Sequence, residues 1–256
     1  MLAQIVADKK LRLAEDKRKL PLMALQEKLP SAPALRQFAE ALDAPGISLI
    51  AEIKKASPSR GSLGMTVPAA ELAAHYEEGG ARAISVLTEE DHFQGSLADL
   101  IAVRRVVRLP VLRKDFIIDE WQLYETRLLP ADAVLLIAGL LPEATLAEFL
   151  KICDRLGLAA LVEIHSAEEV RCALRVGAKI IGINNRDLQS FKTDLRHTER
   201  LASLVSDNVL LVSESGIMTA DDVRLAAAAG ADAVLVGEAL VRAADPAEKI
   251  RNLLGR

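Results

Sequence analysis

Charged and amide side chains end five separate aliphatic segments of this sequence, and their types suit acid–base chemistry. The segments SLIAEIK, PVLRK, AALVE, KIIGIN and VLLVSE end in Glu52 and Lys54, Lys114, Glu163, Asn184 and Glu214, respectively. Lys and Glu are almost never fully buried unless they are paired or functional. In a barrel of parallel strands, catalytic groups collect at the C-terminal ends of the strands. The pattern therefore predicts a charged site at one end of an apolar scaffold.

The first of these segments places two opposite charges side by side. Glu52 and Lys54 share one face of the strand, because side chains alternate along it. They would form a structural ion pair or a catalytic one, and a lysine partly withdrawn from water has a lowered pKa and can act as an acid or a nucleophile. In the following loop, Ser57, Ser59 and Gly61 could close over an anion.

Lys114 and Glu163 are the best candidates for proton transfer. Lys114 has the parity of Leu112, so Arg113 is expected to face outward. Protonating a carbonyl requires a cation that can lose its proton, which suits Lys and excludes Arg. A lysine that only extends to solvent at a strand end is the alternative. A carboxylate against apolar walls has a raised pKa, whereas His165 is expected to be an ordinary polar residue of the next loop.

The last three strand ends suggest an anion site. Asn184 could hydrogen-bond a substrate hydroxyl and Arg186 could hold a carboxylate or phosphate with two bonds, although an Asx turn with a solvated Arg is the alternative. Gly216 and Gly237 each follow an aliphatic strand and precede a helical segment, where backbone N–H groups and the helix N-terminus favour phosphate. Glu238 would repel that phosphate unless its side chain turns away.

Alternating elements are needed to position these groups. Aliphatic segments lie near 47–53, 83–87, 110–113, 133–137, 158–163, 179–183, 209–213 and 233–236, mostly separated by segments with helical periodicity. Short aliphatic runs between amphipathic helices indicate parallel strands buried on both faces. Eight such units predict a (β/α)8 TIM barrel in the α/β class. A doubly wound open sheet is the alternative, but the sequence has no GxGxxG and no Walker A motif.

Residues 1–45 do not follow this alternation and are expected to form an N-terminal helical extension of one domain spanning 1–256. Helices are predicted over roughly 2–19 and 32–43, separated by the proline-containing segment 19–33. The extension could cap the bottom of the barrel or lean over its mouth.

Composition excludes several functional classes. The chain is 51% hydrophobic and carries a net charge of -4, so it offers no basic face for nucleic acid. Its N-terminus has neither signal- nor transit-peptide character, and no apolar stretch reaches the roughly 18 residues that span a bilayer. Cys153 and Cys172 are expected to be buried free thiols, and the four histidines form no metal-ligand cluster. A cytoplasmic protein without metal or membrane contact is predicted.

Seven segments together resemble the indole-3-glycerol phosphate synthase family over essentially the whole chain. In order, they are AEIKKASPSRG, SVLTEEDHFQGS, VLRKDFIID, LVEIH, GINNRDL, SESGI and DAVLVGEAL. The resemblance implies a cofactor-free TIM-barrel enzyme that acts on a small phosphorylated substrate. Its substrate would be 1-(2-carboxyphenylamino)-1-deoxyribulose 5-phosphate, converted to indole-3-glycerol phosphate with loss of CO2 and water.

The resemblance also implies roles for individual positions. Lys114 resembles the general acid that protonates the substrate ketone, Glu163 the acid/base partner of the dehydration, and Lys54 the flexible lysine that contacts substrate anions. The positions that orient or stabilise the substrate are Glu52, Asn184, Glu214 and Ser215. Those that contact substrate or phosphate are Ser57, Arg186, Gly216 and Gly237, and those against the anthranilate ring are Phe93 and Phe116. His92 stands where Tyr is common, and Glu238 where some members have Ser.

Three alternatives remain open from the residues alone. In an aldolase-type barrel, Lys54 or Lys114 would be a covalent nucleophile. Phosphoribosylanthranilate isomerase has the same fold, but generally uses an acidic residue and a cysteine, and no cysteine stands at a strand end here. A non-catalytic phosphosugar-binding barrel would not need so many charges in one mouth, since concentrating them costs stability. A monomer is expected.

Overall fold

Eight parallel strands close into a barrel within the residues that the structure describes. The structure is a computed structural model and describes residues 2–58, 61–187 and 192–256. The strands are β1 (Ser48–Ile53), β2 (Ala83–Leu87), β3 (Val111–Lys114), β4 (Ala133–Ile137), β5 (Ala159–Ile164), β6 (Ile180–Asn184), β7 (Leu210–Glu214) and β8 (Ala233–Val236). Since β1 pairs with both β2 and β8, the sheet has no edge. The predicted TIM barrel is confirmed, and the open sheet is excluded.

The strands are mostly aliphatic because each of them is covered on both faces. Alternate residues such as Ile50, Leu112, Leu161 and Val212 pack inside the barrel, and the residues between them pack against the surrounding helices. Arg113 shows this alternation for a polar side chain. As predicted, it points away from the barrel interior, where its guanidinium donates to Thr126 at 2.9 Å.

Helices surround the barrel in the expected alternation. Those before β1 are α1 (Leu2–Lys19), α2 (Leu22–Lys28) and α3 (Phe38–Leu42). Those that follow are α4 (Ala69–Glu78), α5 (Leu97–Val106), α6 (Glu120–Leu128), α7 (Glu143–Leu156), α8 (Ala167–Arg175), α9 (Arg196–Ala202), α10 (Ala220–Ala228), α11 (Glu238–Val241) and α12 (Pro246–Leu253).

Local sequence determines where several of these helices begin and end. Asp119 and Gln122 form a capping box that begins α6, and Gly157 ends α7 with a φ of 73°, a conformation that glycine adopts without steric cost.

The N-terminal extension lies at both ends of the barrel. Phe38 and Leu42 of α3 pack into the interior cluster beside Ile50 and Ala83, and close the bottom of the barrel. At the other end, Lys9 of α1 pairs with Asp115 at 2.7 Å, directly after β3. Both positions suggested by the sequence are therefore occupied, each by a different helix.

The helix boundaries predicted for this extension are partly wrong. Residues 22–28 form α2 inside the segment expected to break the pattern, because Pro21 precedes its first turn and the seven residues that follow it are good helix formers. The next helix spans only Phe38–Leu42 instead of residues 32–43. Pro33 disfavours a helical conformation at the residue before it. Ala32 accordingly has a ψ of 142°.

Two further expectations meet the structure here. Cys153 is buried in α7 but Cys172 in α8 is only partly buried, so the expectation of two buried thiols is wrong for Cys172; both are free. After β1, Ala56–Ser57 pairs with Gly61–Ser62 in a short antiparallel hairpin, and Ser59 lies outside the described residues. Across the described ranges, no helix has both the length and the apolar character to cross a bilayer.

Candidate active site

A cavity of about 680 Å³ opens at the C-terminal ends of the barrel strands. All thirteen residues that the sequence singled out for the site lie in its wall; they are Glu52, Lys54, Ser57, Phe93, Lys114, Phe116, Glu163, Asn184, Arg186, Glu214, Ser215, Gly216 and Gly237. They come from seven of the strands and the loops that follow them. The barrel thus brings together groups from positions as distant in the chain as 52 and 237. The chemical role of each remains a prediction.

Lys114 occupies the centre of the charged groups. Its Nζ lies 3.1 Å from a carboxylate oxygen of Glu163 and 3.2 Å from one of Glu214. Burial by itself would lower the pKa of the Lys114 ammonium, but the charges of Glu214, Glu163 and Glu52 raise it on balance. The lowered pKa expected for a lysine withdrawn from water does not apply to Lys114, because carboxylates replace the lost water. This lysine therefore holds its proton throughout the neutral range.

Glu163 accepts one hydrogen bond on each carboxylate oxygen. Lys114 donates to Oε2 at 3.1 Å and the side-chain amide of Asn184 donates to Oε1 at 3.1 Å. Burial by itself would raise the pKa of Glu163, but the charges of Lys114 and His165 and these hydrogen bonds lower it on balance. The expectation of a raised pKa at this strand end is therefore wrong, and Glu163 is a carboxylate at neutral pH.

Glu214 behaves in the opposite way. Among the described residues, neither of its buried oxygens accepts a hydrogen bond, although Lys114 is close. Burial raises the pKa of Glu214 to about 7, and the charge of Glu163 adds to the rise while Lys114 opposes it. The two carboxylates beside the Lys114 ammonium thus differ in pKa. Glu163 accepts hydrogen bonds from Lys114 and Asn184, which favour its ionised form, and Glu214 accepts none within the described residues. Near pH 7, Glu214 is therefore partly protonated, whereas Glu163 is ionised.

Glu52 and Lys54 form a second ion pair at the mouth. The Lys54 ammonium lies 2.5 Å from Oε2 of Glu52, which is buried at the end of β1. Burial by itself would raise the pKa of Glu52, but Lys54 and Lys114 lower it on balance. Gly237 lies directly against this carboxylate, and a Cβ there would collide with it. A larger residue at position 237 would therefore displace the Glu52 carboxylate from its place beside Lys54, a reason for glycine that the sequence did not reveal.

The backbone after β7 has an unusual conformation. Ser215 has a φ of 66° and Gly216 a φ of 88°, so a non-glycine residue occupies the left-handed region beside the cavity. Asn185, which is buried, donates from its side-chain amide to the Ser215 carbonyl at 3.1 Å and to the Ser213 hydroxyl at 3.0 Å. Tertiary hydrogen bonds therefore hold a strained turn in the wall of the site.

Asn184 and Arg186 form a local turn as well as part of the wall. The Arg186 backbone N–H donates to the Asn184 side-chain carbonyl at 3.0 Å, which is an Asx turn. The Asx turn of the alternative is thus present, but Arg186 is only partly exposed and lines the cavity. The turn orients the Asn184 amide toward Glu163. Glu238 also lies in the wall, and its carboxylate is 3.7 Å from the guanidinium of Arg242, which offsets its charge.

Part of the cavity wall is apolar. The rings of Phe93 and Phe116 are 6.0 Å apart between centroids, and Leu2 and Ile5 of α1 also line the cavity. Sequence reasoning allowed the N-terminal extension to lie over the mouth but named no residue of α1, because no pattern tells which face of an N-terminal helix will reach the site. It also missed Asp115, which lies in the wall and accepts a hydrogen bond from the Phe116 backbone N–H at 2.8 Å.

His165 departs from the sequence-based expectation. It does lie in the loop after β5, but its Nε2 is 3.4 Å from Oε1 of Glu163 and its side chain is 15% exposed. The loop position is as expected, but the contact with Glu163 shows that His165 is not an ordinary polar residue of that loop. The signal was present in the sequence, because residue 165 has the parity of Glu163.

Comparison with known proteins identifies the family to which this chain belongs. A model of the family described as indole-3-glycerol phosphate synthase matches residues 2–253. This chain belongs to the indole-3-glycerol phosphate synthase family. A curated protein of that name from Roseiflexus castenholzii is 50% identical, covering 100% of this chain and 98% of its own length. Another, from Carboxydothermus hydrogenoformans, is 47% identical and covers 99% of both chains. The resemblance found in the sequence is confirmed.

Solved structures of other enzymes share the fold of this synthase-family chain. The 3-hexulose-6-phosphate synthase of Salmonella typhimurium superimposes with a TM-score of 0.65 at 18% identity. The match covers 82% of this chain and 97% of that one. At that identity the likeness extends to the barrel architecture and not to the chemistry.

Proposed function

We propose that this member of the indole-3-glycerol phosphate synthase family converts 1-(2-carboxyphenylamino)-1-deoxyribulose 5-phosphate to indole-3-glycerol phosphate, releasing CO2 and water. The observation that carries the proposal is the match of the family over residues 2–253, with full-length relatives of that name. The charged cluster around Lys114 supports it, because the groups that this reaction needs lie within one cavity.

Lys114 is proposed as the acid of ring closure. A carbon of the electron-rich arene attacks the ketone, and the developing alkoxide must receive a proton. Lys114 holds that proton firmly in the free site, since two carboxylates raise its pKa. The alkoxide is a far stronger base than either carboxylate, so the proton transfers only when the new bond forms. Loss of CO2 then restores the aromatic ring, because the electron pair of the broken C–C bond neutralises the iminium cation that ring closure created.

Glu163 is proposed as the base of the dehydration. It is ionised at neutral pH and lies across the mouth from Glu52 and Lys54. Glu163 takes the proton from carbon, and a lysine, Lys54 or Lys114, protonates the departing hydroxyl. The remaining positions, Glu52, Asn184, Glu214 and Ser215, would orient the substrate and balance its charge.

Anchors at two sides of the cavity would hold the ketone against the ring. The phosphate is proposed to bind near Arg186, Gly216 and Gly237, with Ser57 above it, and the anthranilate ring to lie against Phe93 and Phe116. Holding two reacting groups in one geometry can contribute several kcal/mol to the rate. The proposed phosphate contacts follow β6, β7, β8 and β1, whereas Phe93 follows β2 and Phe116 follows β3.

The ionisation of Lys114 disfavours the aldolase-type alternative. A lysine that forms a Schiff base must be neutral to attack, and Lys114 is held as an ammonium by Glu163 and Glu214. Borohydride reduction in the presence of a ketose phosphate is expected to leave every lysine unmodified, as judged by intact mass.

The decisive assay mixes the purified protein with 1-(2-carboxyphenylamino)-1-deoxyribulose 5-phosphate and follows indole fluorescence, with and without EDTA. A rise that persists in EDTA is the expected result. Folded protein that binds the substrate and produces no indole signal would overturn the proposed function. The monomeric state and the cytoplasmic location stay predictions; light scattering on a sizing column tests the first.

A further inference from the structure

The Nε2 atom of the His165 ring lies beside the carboxylate of Glu163. The Nε2 atom is buried and, among the described residues, makes no hydrogen bond, while Oε1 of Glu163 is its neighbour at 3.4 Å. A shift of about 0.5 Å would bring the two atoms to a normal N–H···O distance. Glu163 has room for this donor, because an ionised carboxylate offers about four acceptor sites and two are engaged by Lys114 and Asn184.

The ring is held from its far side. Glu169 of α8 accepts the His165 backbone N–H at 2.8 Å and lies 3.7 Å from Nδ1 of the ring. His197 of α9 contacts the His165 carbonyl through its own Nε2 at 3.0 Å. These contacts come from two separate helices. They fix the loop after β5, so the direction of the ring toward Glu163 is a consequence of tertiary packing.

The charges that face His165 are mostly negative. Glu163 from β5, Glu169 from α8 and Glu214 from β7 surround it, and the ammonium of Lys114 lies beyond Glu163. Burial by itself would lower the pKa of the His165 ring, but Glu169, Glu163 and Glu214 raise it on balance. In a protonated ring both nitrogens are donors, and here Nδ1 faces Glu169 and Nε2 faces Glu163.

This arrangement matters when Lys114 loses its charge. In the proposed ring closure Lys114 gives its proton to the alkoxide, and Glu163 then loses its main cationic partner. A carboxylate left in a buried site without a cation gains a proton readily, and a protonated Glu163 cannot act as the base of the dehydration. A second cation beside Oε1 would prevent this.

We propose that His165 is a positioning residue that donates from Nε2 to Glu163 and keeps it ionised while Lys114 is neutral. The inference rests on the proposed function, because it concerns the step in which Glu163 accepts the proton from carbon. His165 touches no reacting atom. Its effect passes through Glu163, so its loss should change the pH at which the enzyme works more than the maximal rate.

The first test is the pH profile of kcat in three variants. His165→Ala and His165→Asn are expected to move the acid limb, which reports Glu163, to higher pH by about one unit, that is, a tenfold loss on that limb. His165→Gln places a neutral donor where Nε2 lies and should restore part of that shift. His75→Ala, which removes a histidine on α4 with a side chain 43% exposed, is the matched control and should leave the profile unchanged.

The second test needs no activity. The four histidines can be followed by imidazole NMR and assigned from the His→Ala variants. Glu163→Gln removes the facing charge and should lower the titration midpoint of His165 by half a pH unit or more, roughly a threefold change in proton affinity, without moving that of His75. An unchanged His165 midpoint, or unchanged acid limbs in active His165 variants, would overturn the inference. A wild-type protein without synthase activity would instead overturn the proposed function.

Discussion

At the scale of single residues, three carboxylates of the site differ in pKa because they differ in the hydrogen bonds and ion pairs that they accept. Glu163 has a lysine and an amide, Glu52 has Lys54, and Glu214 has only a shared ammonium and no hydrogen bond within the described part of the chain. Their pKa values diverge accordingly, downward for the first two and upward to about 7 for Glu214. Groups driven apart in this way can serve as acid and base at one pH.

Lys114→Ala should abolish most of the activity and preserve the fold. The variant removes the proposed acid, and acid catalysis contributes roughly 10²–10⁴-fold to a rate. We expect kcat to fall by at least about a hundredfold, with the far-UV circular dichroism unchanged. Lys151→Ala, at an exposed position of α7, serves as the control. Full activity in the Lys114 variant would remove Lys114 from the mechanism.

Glu214→Gln and Glu163→Gln should change stability in opposite directions. The folded pKa of Glu214 is about 7, above its ordinary value of 4.5, so its contribution to stability is present below pH 4.5 and is lost as the pH rises through 7. Glutamine imitates the protonated form and should stabilise the protein by about 2 kcal/mol at pH 8.5 and hardly at all at pH 5. Urea unfolding at both pH values measures this.

Glu163→Gln is the matched comparison. Its folded pKa is lowered, so its contribution is present above the unfolded value and is lost only as the pH falls through the folded one. This variant should therefore be less stable than the parent at pH 8.5. If both variants changed stability in the same direction at pH 8.5, the pKa values of Glu163 and Glu214 would not be shifted in opposite directions, as the hydrogen bonds indicate.

At the scale of elements, the two ends of the barrel have different tasks. The bottom is closed by α3, whose Phe38 is fully buried among interior side chains. The mouth is completed by α1, which contributes Leu2, Ile5 and the Lys9–Asp115 pair. Separation of catalysis and stability to opposite faces is general for these barrels, and here one N-terminal extension serves both.

Phe38→Ala should lower the free energy of unfolding and leave kcat nearly unchanged. Truncating a buried Phe leaves a cavity and typically costs about 3–5 kcal/mol. Because Phe38 packs at the bottom, kcat measured well below the unfolding temperature should stay within about twofold of the parent. Met23 lies at an exposed position of α2, and Met23→Ala should change stability by less than about 0.5 kcal/mol. A large loss of kcat in the Phe38 variant would mean that the two ends are coupled.

Lys9→Ala should weaken both the fold and the mouth. The lysine is nearly buried, and its partner Asp115 is held ionised partly by its charge. Removing one member of a buried pair costs about 3–5 kcal/mol, and we expect about 3 kcal/mol because Arg113 remains beside Asp115. KM should rise several-fold, since α1 supplies part of the cavity wall. Lys10→Ala, next to it on the exposed face, is the control for both readouts.

At the scale of the whole molecule, buried carboxylates set the response to acid. Burial by itself would raise the pKa values of Glu52, Asp115 and Glu163, but nearby cations lower all three on balance. Groups with lowered folded pKa values contribute stability above their unfolded values, near pH 4, and lose it as the pH falls further. The melting temperature should therefore drop steeply below about pH 4. A melting temperature unchanged from pH 6 to pH 3 would contradict this.

The sequence determined much of this architecture without help. Each strand was predicted to within one residue at either end, because continuous aliphatic runs buried on both faces leave little choice of period or register. The strand-end residues Glu52, Lys114, Glu163, Asn184 and Glu214 lie in the cavity wall for a related reason, since a polar residue closing an aliphatic strand of a barrel faces its mouth. Phe93 and Phe116 were placed there by the family resemblance alone. The family motifs added the substrate, which no periodicity encodes.

Only the tertiary structure decided which carboxylates are ionised at neutral pH and which residues contact them. Near pH 7, Glu163 is ionised and Glu214 only partly so, because donors from β3 and β6 reach Glu163, and the sequence-based expectation for Glu163 was wrong for that reason. His165 and the apolar face of α1 likewise acquire their positions from residues distant in the chain. Local sequence specifies the strands, whereas pKa values and contacts between elements depend on distances in space that arise when the barrel closes.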